Sequence, residues 1–182
     1  MPGSVTAGYP SLRLVVELGR FVMKTIVTLT LLFASSIALA QSDAQKVLDR
    51  FKAMAGTWEG KTAKGAPVVD TYNVTAGGTA VMGENKMGNE DMLSLFYVDG
   101  DGLMMTHFCP SGNQPRMRAT ISPDLKTVTF DFVDATNLPN LQAGHMSHAV
   151  YVFTDVSHYN EDWTWLEDGK GSTFSFEMHR KQ

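Results

Sequence analysis

Apolar residues first recur at helical spacing. In AQKVLDRFKAMAG, Val47, Leu48, Phe51 and Met54 fall on one face of a 3.6-residue period. Ser42 or Asp43 stands where a cap belongs, and Gly56 where a helix stops. From Thr57 onward the period changes to two. Alternating apolar and polar positions predict strands over 57–63, 68–75, 79–87, 92–98, 103–108, 115–121, 127–133, 147–156, 158–166 and 172–178. Turn chemistry separates them, as in Gly77-Gly78, Ser111-Gly112-Asn113 and Asp168-Gly169. Only 134–144 is a longer connection, with Asn137-Leu138-Pro139 placed to make one helical turn.

About ten strands with no helices between them are consecutive antiparallel neighbours. A sheet of that size most economically closes on itself, which removes its exposed edges. The expected fold is therefore all-β: a single closed antiparallel up-and-down β-barrel of about ten strands, preceded by a short helix. Val128, Phe130 and Phe132 form a clean apolar face opposite Thr127, Thr129 and Asp131. Around Leu103 to Cys109 neither face is plainly polar, as expected where a wall meets a cavity on one side and a cover on the other.

The segment before the helix changes the picture of address. From Met23 the chain reads MKTIVTLTLLFASSIALAQ: a basic Lys24, an apolar run over 25–37, and the small-residue box Ala38-Leu39-Ala40. These are the parts of a secretory signal peptide, expected over 23–40 with cleavage before Gln41. Translation is then expected to begin at Met23, leaving 1–22 as a misassigned upstream extension; the alternative is one long signal. Residues 41–56 form the helix leading into the barrel, and 57–182 the barrel domain. The expected location is periplasmic or extracellular, with no stable membrane anchor after cleavage.

The chain from Gln41 holds 142 residues, one domain's worth, with 12 basic and 18 acidic side chains, a formal charge of −6. That acidic surface argues against nucleic acid as a partner. The single cysteine, Cys109, has no partner within the chain for a disulfide, so the core must hold the fold. Oligomerisation is left open.

At Met54 to Lys61, MAGTWEGK follows the helix with a G-x-W-x-G motif, Gly56-Thr57-Trp58-Glu59-Gly60. This resembles the opening of lipocalin-like and nitrobindin-like barrels of the calycin superfamily. The segments THFCPSGNQPRMR, TFDFVDATN, AGHMSHAV and WTWLEDGK look like those of a family of secreted bacterial lipocalin-like proteins of unknown function. The resemblance covers most of 51–181. It implies a ten-stranded barrel with Trp58 packed at its closed end and glycines easing the entry from helix to strand, and it supplies no activity. Nitrobindin relatives hold haem through a histidine, which keeps haem as an alternative cofactor with no histidine here assigned to it.

Several residues could carry chemistry. His107 and Cys109 share a strand face, but their Cβ atoms stand about 6–7 Å apart on a straight strand, too far for a thiol-activating hydrogen bond. Arg116 and Arg118 share a face; turned inward, a guanidinium there would pair with Glu84 or Glu161, or grip a ligand carboxylate. His145 and His148 are spaced to fall on opposite strand faces, which denies shared metal coordination. Tyr159, Glu161, Trp163 and Trp165 share a face suited to a flat, partly polar molecule.

The expected function is that of a non-enzymatic, exported barrel holding a small hydrophobic or amphipathic molecule. Inner-face His107, Arg116, His148, Glu161, Tyr97, Tyr159 and Trp163 are expected to orient it, with Gly56, Trp58 and Gly60 structural. No catalytic or metal-binding residue is assigned. Two alternatives stand beside it: a barrel enzyme on a small metabolite, with His107 or His148 as acid–base and Arg116 as stabiliser, and haem or metal binding through a barrel histidine.

Overall fold

The computed structural model describes residues 41–182, so the expected upstream extension (1–22) and signal peptide (23–40) lie outside the described residues. Helix α1 (Asp43–Ala53) starts where the sequence places a cap: the Ser42 hydroxyl accepts from the Gln45 backbone N–H, 3.2 Å away. Its buried face is Ala44, Val47, Leu48 and Phe51.

Ten strands follow: β1 (Gly56–Lys61), β2 (Pro67–Thr75), β3 (Ala80–Met87), β4 (Glu90–Asp99), β5 (Gly102–Phe108), β6 (Gln114–Ile121), β7 (Thr127–Thr136), β8 (His145–Phe153), β9 (His158–Glu167) and β10 (Lys170–Arg180). Each pairs antiparallel with its sequence neighbour, and β1 pairs with β10, which closes the barrel. All ten strands expected from the alternation are present.

The differences lie at strand ends. β8 stops at Phe153, because Thr154 and Asp155 turn their backbone N–H groups onto the His158 carbonyl, leaving Val156 on the surface. Asn137-Leu138-Pro139 makes no helical turn; β7 runs on to Thr136, and Asn137 then takes a left-handed φ of 56° that breaks any helix. A short 3₁₀ turn, Ala76–Gly78, replaces the simple glycine turn between β2 and β3.

A ten-stranded barrel is wider than its own inward side chains fill, since about eight strands suffice for a packed interior. Helix α1 occupies one end of that space. Phe51 stacks on Phe96 with centroids 4.2 Å apart and meets Tyr151 and Phe153 edge-on at 5.3 Å. Trp58 completes this floor: its indole N–H donates to the Met54 carbonyl at 2.8 Å, and the Arg180 guanidinium lies over its ring at 4.3 Å. Arg180 also donates to the Ala53 and Ala55 carbonyls, tying the last strand to the end of the helix. Gly56 makes the turn from helix to strand at φ 119°, a conformation closed to other residues. At Gly60 an added Cβ would sit 2.8 Å from the Glu177 carbonyl oxygen, so only glycine lets β1 lie this close to β10.

Because Phe51 holds the helix to four strands at once, Phe51→Ala is expected to cost about 3–5 kcal/mol. Arg116→Ala, which removes an exposed ion pair, should cost under about 1 kcal/mol. Urea unfolding followed by tryptophan fluorescence separates the two.

Candidate functional site

The end of the barrel opposite α1 holds a cavity of about 310 Å³. It runs from Tyr72 and Tyr151, just above the helix, to the turns at Met87, Glu90 and Cys109–Ser111. Its wall is mainly aromatic and apolar: Phe96, Met92, Trp163, Trp165, Phe174 and Phe176.

Polar groups enter this wall through strand alternation. On β2 the inner face reads Val68, Asp70, Tyr72, and on β4 Met92, Ser94, Phe96, so Asp70 and Ser94 are carried inside by their apolar neighbours. Asp70 is 2% exposed and accepts hydrogen bonds from the Tyr159 hydroxyl and the Asn85 amide. Tyr72 and Tyr159 join through their hydroxyls at 3.3 Å.

Glu161, also 2% exposed, accepts from the Trp163 indole N–H at 3.1 Å through Oε2, while its Oε1 meets no N–H or O–H donor. Burial, and then the charge of Asp70, push the Glu161 carboxyl well above the usual carboxylate range. Burial also raises Asp70, against the pull of its hydrogen bonds from Tyr159 and Asn85. Two carboxyls in one dry pocket disfavour each other's ionisation, so burial and their mutual charge both favour the protonated form of Glu161. Burial holds the hydroxyls of Tyr72, Tyr151 and Tyr159 in their neutral form as well.

His107 completes the wall. Its Nδ1 is bonded to the Ser94 hydroxyl at 3.0 Å, its ring lies 4.9 Å from that of Trp163, and its Nε2 has no partner. Burial depresses its pKa to about 4, so the ring is neutral at physiological pH. Cys109 stands at the rim, but Nδ1 of His107 is bonded to Ser94 and Nε2 to nothing, so no thiol–imidazole pair forms.

Of the seven residues expected on the inner face, His107, Glu161 and Trp163 line the cavity, and Tyr159 lies beneath it, bonded to Asp70. Arg116, His148 and Tyr97 do not. Arg116 pairs with Thr106, one residue away from His107, and so takes the outer face, where it forms a two-pronged ion pair with Asp134. His148 bonds exposed Asp131 at 2.8 Å. The Tyr97 hydroxyl meets that of Thr106 at 3.2 Å, also outside. The acid–base and stabilising set of His107, His148 and Arg116 is therefore not assembled. His145 is buried against Phe132 with Nδ1 on the Ala143 carbonyl, away from exposed His148. Among the described residues, no three His, Cys, Asp or Glu side chains converge as metal ligands.

Asp70, Asn85, Ser94, Tyr72 and Tyr151 were missing from the expected set. Asp70 alone carried a sequence signal, as an acid between Val68 and Tyr72 on the buried face of an alternating strand.

The fold and cavity define a closed ten-stranded antiparallel β-barrel, plugged at one end by its N-terminal helix. No protein-family profile and no curated protein sequence matches the chain. Among solved structures it is similar to Rv2717c from M. tuberculosis, with a TM-score of 0.54 and 12% identity, covering 75% of this chain and 98% of that one. A protein of unknown function from the DUF3598 family of Nostoc punctiforme PCC 73102 gives a TM-score of 0.48 and 9% identity over 72% of this chain; the chain spans about half, 49%, of that protein's length. The likeness to Rv2717c is one of fold.

The two buried groups give opposite pH limbs. His107 has a folded pKa below its unfolded value of 6.5, so the stability it supports falls as pH drops from 6.5 to about 4. At about 1.4 kcal/mol per pKa unit the loss reaches about 3 kcal/mol. Glu161 is raised above 4.5, so its contribution falls as pH rises beyond that value. Urea unfolding from pH 4 to 8 should show Glu161→Gln more stable than wild type at pH 8, with the advantage fading toward pH 4. His107→Gln should flatten the acid limb.

Proposed function

We propose that this barrel binds a small, mostly apolar molecule in the cavity above α1. The observation that carries this reading is the cavity itself: about 310 Å³ walled by aromatic side chains, with His107 Nε2 and Glu161 Oε1 buried in it without hydrogen-bond donors or acceptors to match. Buried polar atoms are costly when unmatched, and a ligand's polar end offsets that cost. The surrounding apolar wall accepts the rest of the molecule.

The reading places the protein among lipocalin-like barrels of the calycin superfamily. The G-x-W-x-G entry, with Trp58 on the floor and glycine required at positions 56 and 60, supports that placement. It also places the protein outside the cytoplasm, on the strength of Lys24, the apolar run that follows and Ala38-Leu39-Ala40. The intact mass of the exported protein should correspond to a chain beginning at Gln41; a chain retaining residues 23–40 in the cytoplasm contradicts export.

Haem binding is a second reading, favoured by one feature. His107 has Nδ1 fixed by Ser94 and Nε2 free, the arrangement in which an imidazole serves as a metal ligand. The visible absorption spectrum of protein from its native host decides it: a haem band lost in His107→Ala supports it, and a featureless spectrum overturns it.

The binding reading is tested with N-phenyl-1-naphthylamine, an uncharged apolar fluorophore that brightens on leaving water. It should bind with one-to-one stoichiometry. Alkylating Cys109 at the rim of the folded protein should weaken binding at least tenfold, and Cys109→Ser should make binding indifferent to the reagent. No fluorescence gain in the unmodified protein contradicts the reading.

A further inference from the structure

The described cavity wall has a lopsided charge inventory. Asp70 and Glu161 lie deep within it, Glu90 stands at the rim on the face shared with Met92, and no lysine or arginine lines it. Arg116, the residue best suited to grip an acidic ligand, is outside on Asp134. A ligand carboxylate entering here would meet two carboxyls and no cation.

Seven strands present groups toward Glu161. β2 presents Asp70 and Tyr72, β3 Asn85, β4 Ser94 and Phe96, β5 neutral His107, β8 Tyr151, β9 Tyr159 and Trp163, and β10 Phe176. None is positively charged. Glu84 borders the rim from β3 and is likewise acidic.

We propose that the cavity selects small amphipathic molecules carrying a protonated amine, whose ammonium group seats at Glu161 Oε1 beside Asp70. This deepens the ligand-binding reading and rests on it. Without a cation, the pair holds one proton, because two uncompensated charges cannot persist in so dry a site. An ammonium supplies the missing charge and three N–H donors, one for the Glu161 oxygen that has none. The Glu161 O–H bond then breaks, its proton passes to solvent, and the carboxylate formed is paired with the ammonium. The apolar part of the molecule lies against Trp163, Phe96 and Phe174, whose ring faces also attract a cation.

Displacement of bound N-phenyl-1-naphthylamine tests this with three probes of similar shape: 2-phenylethylamine, 2-phenylethanol and 3-phenylpropionate. An alkylamine remains protonated through pH 8, given an ordinary pKa of about 10.4. At pH 8 the amine should displace the fluorophore at a concentration at least tenfold below that of the alcohol, with the carboxylate weakest. The amine's advantage should grow as pH rises, by at most about tenfold per pH unit, the limit set by one released proton. Glu161→Gln should lose the amine preference, the amine and the alcohol then displacing the fluorophore at similar concentrations, and flatten its pH dependence. If the fluorophore binds but the alcohol or the carboxylate matches the amine, the amine proposal is overturned and the binding reading stands. If the fluorophore itself does not bind, both fall.

Discussion

Helix α1 is wedged into one end of a barrel too wide to fill itself, and the rest of the structure follows from that. Ten strands enclose more space than one layer of inward side chains occupies. Phe51 resolves the problem at the floor by packing on Phe96, Tyr151 and Phe153 together, and Trp58 and Arg180 lock the helix end to the first and last strands. Those strands, β1 and β10, are also the pair that closes the barrel. Filling one half leaves the other half hollow, so the closed floor and the cavity are two consequences of one packing solution.

The hollow half is where polar groups are tolerated inside. Asp70 and Glu161 are held by tyrosine, asparagine and tryptophan donors instead of by a cation, and burial favours their protonated forms. Burying carboxyls in this way detracts from stability at neutral pH. Groups that weaken a fold while lining its cavity are the ones most readily accounted for by what they bind. The outer wall follows the opposite logic: Arg116–Asp134, His148–Asp131 and Tyr97–Thr106 are cross-strand pairs that dress a solvated surface.

The strands were legible because each alternates and each is bounded by turn residues. The helix was legible because Val47, Leu48 and Phe51 repeat at its own period and Ser42 caps it. The floor was legible in the motif around Trp58. The site was harder to read, because alternation says which residues share a face and not which face is inside. For β9 the aromatic character of Tyr159, Glu161 and Trp163 was enough. For β6 it was not: Met117 is the inner residue and carries Arg116 outward, and a bulge between Arg116 and Met117 shifts the pairing with β7. His148 follows a similar irregularity in β8. Asp70 is hard to find in the sequence because a lone acid in a strand reads as surface unless its apolar neighbours at i−2 and i+2 are weighed with it.

On the binding reading, the acid pair that lacks a cation inside the aromatic cavity is where a ligand's ammonium seats. Native mass spectrometry of the protein purified gently from its own host tests it most directly. A one-to-one complex is expected with a small molecule that, once released, carries a basic nitrogen, and it should be absent from the Glu161→Gln protein. A bare protein mass, or a bound fatty acid or other anion retained by both proteins, would contradict it.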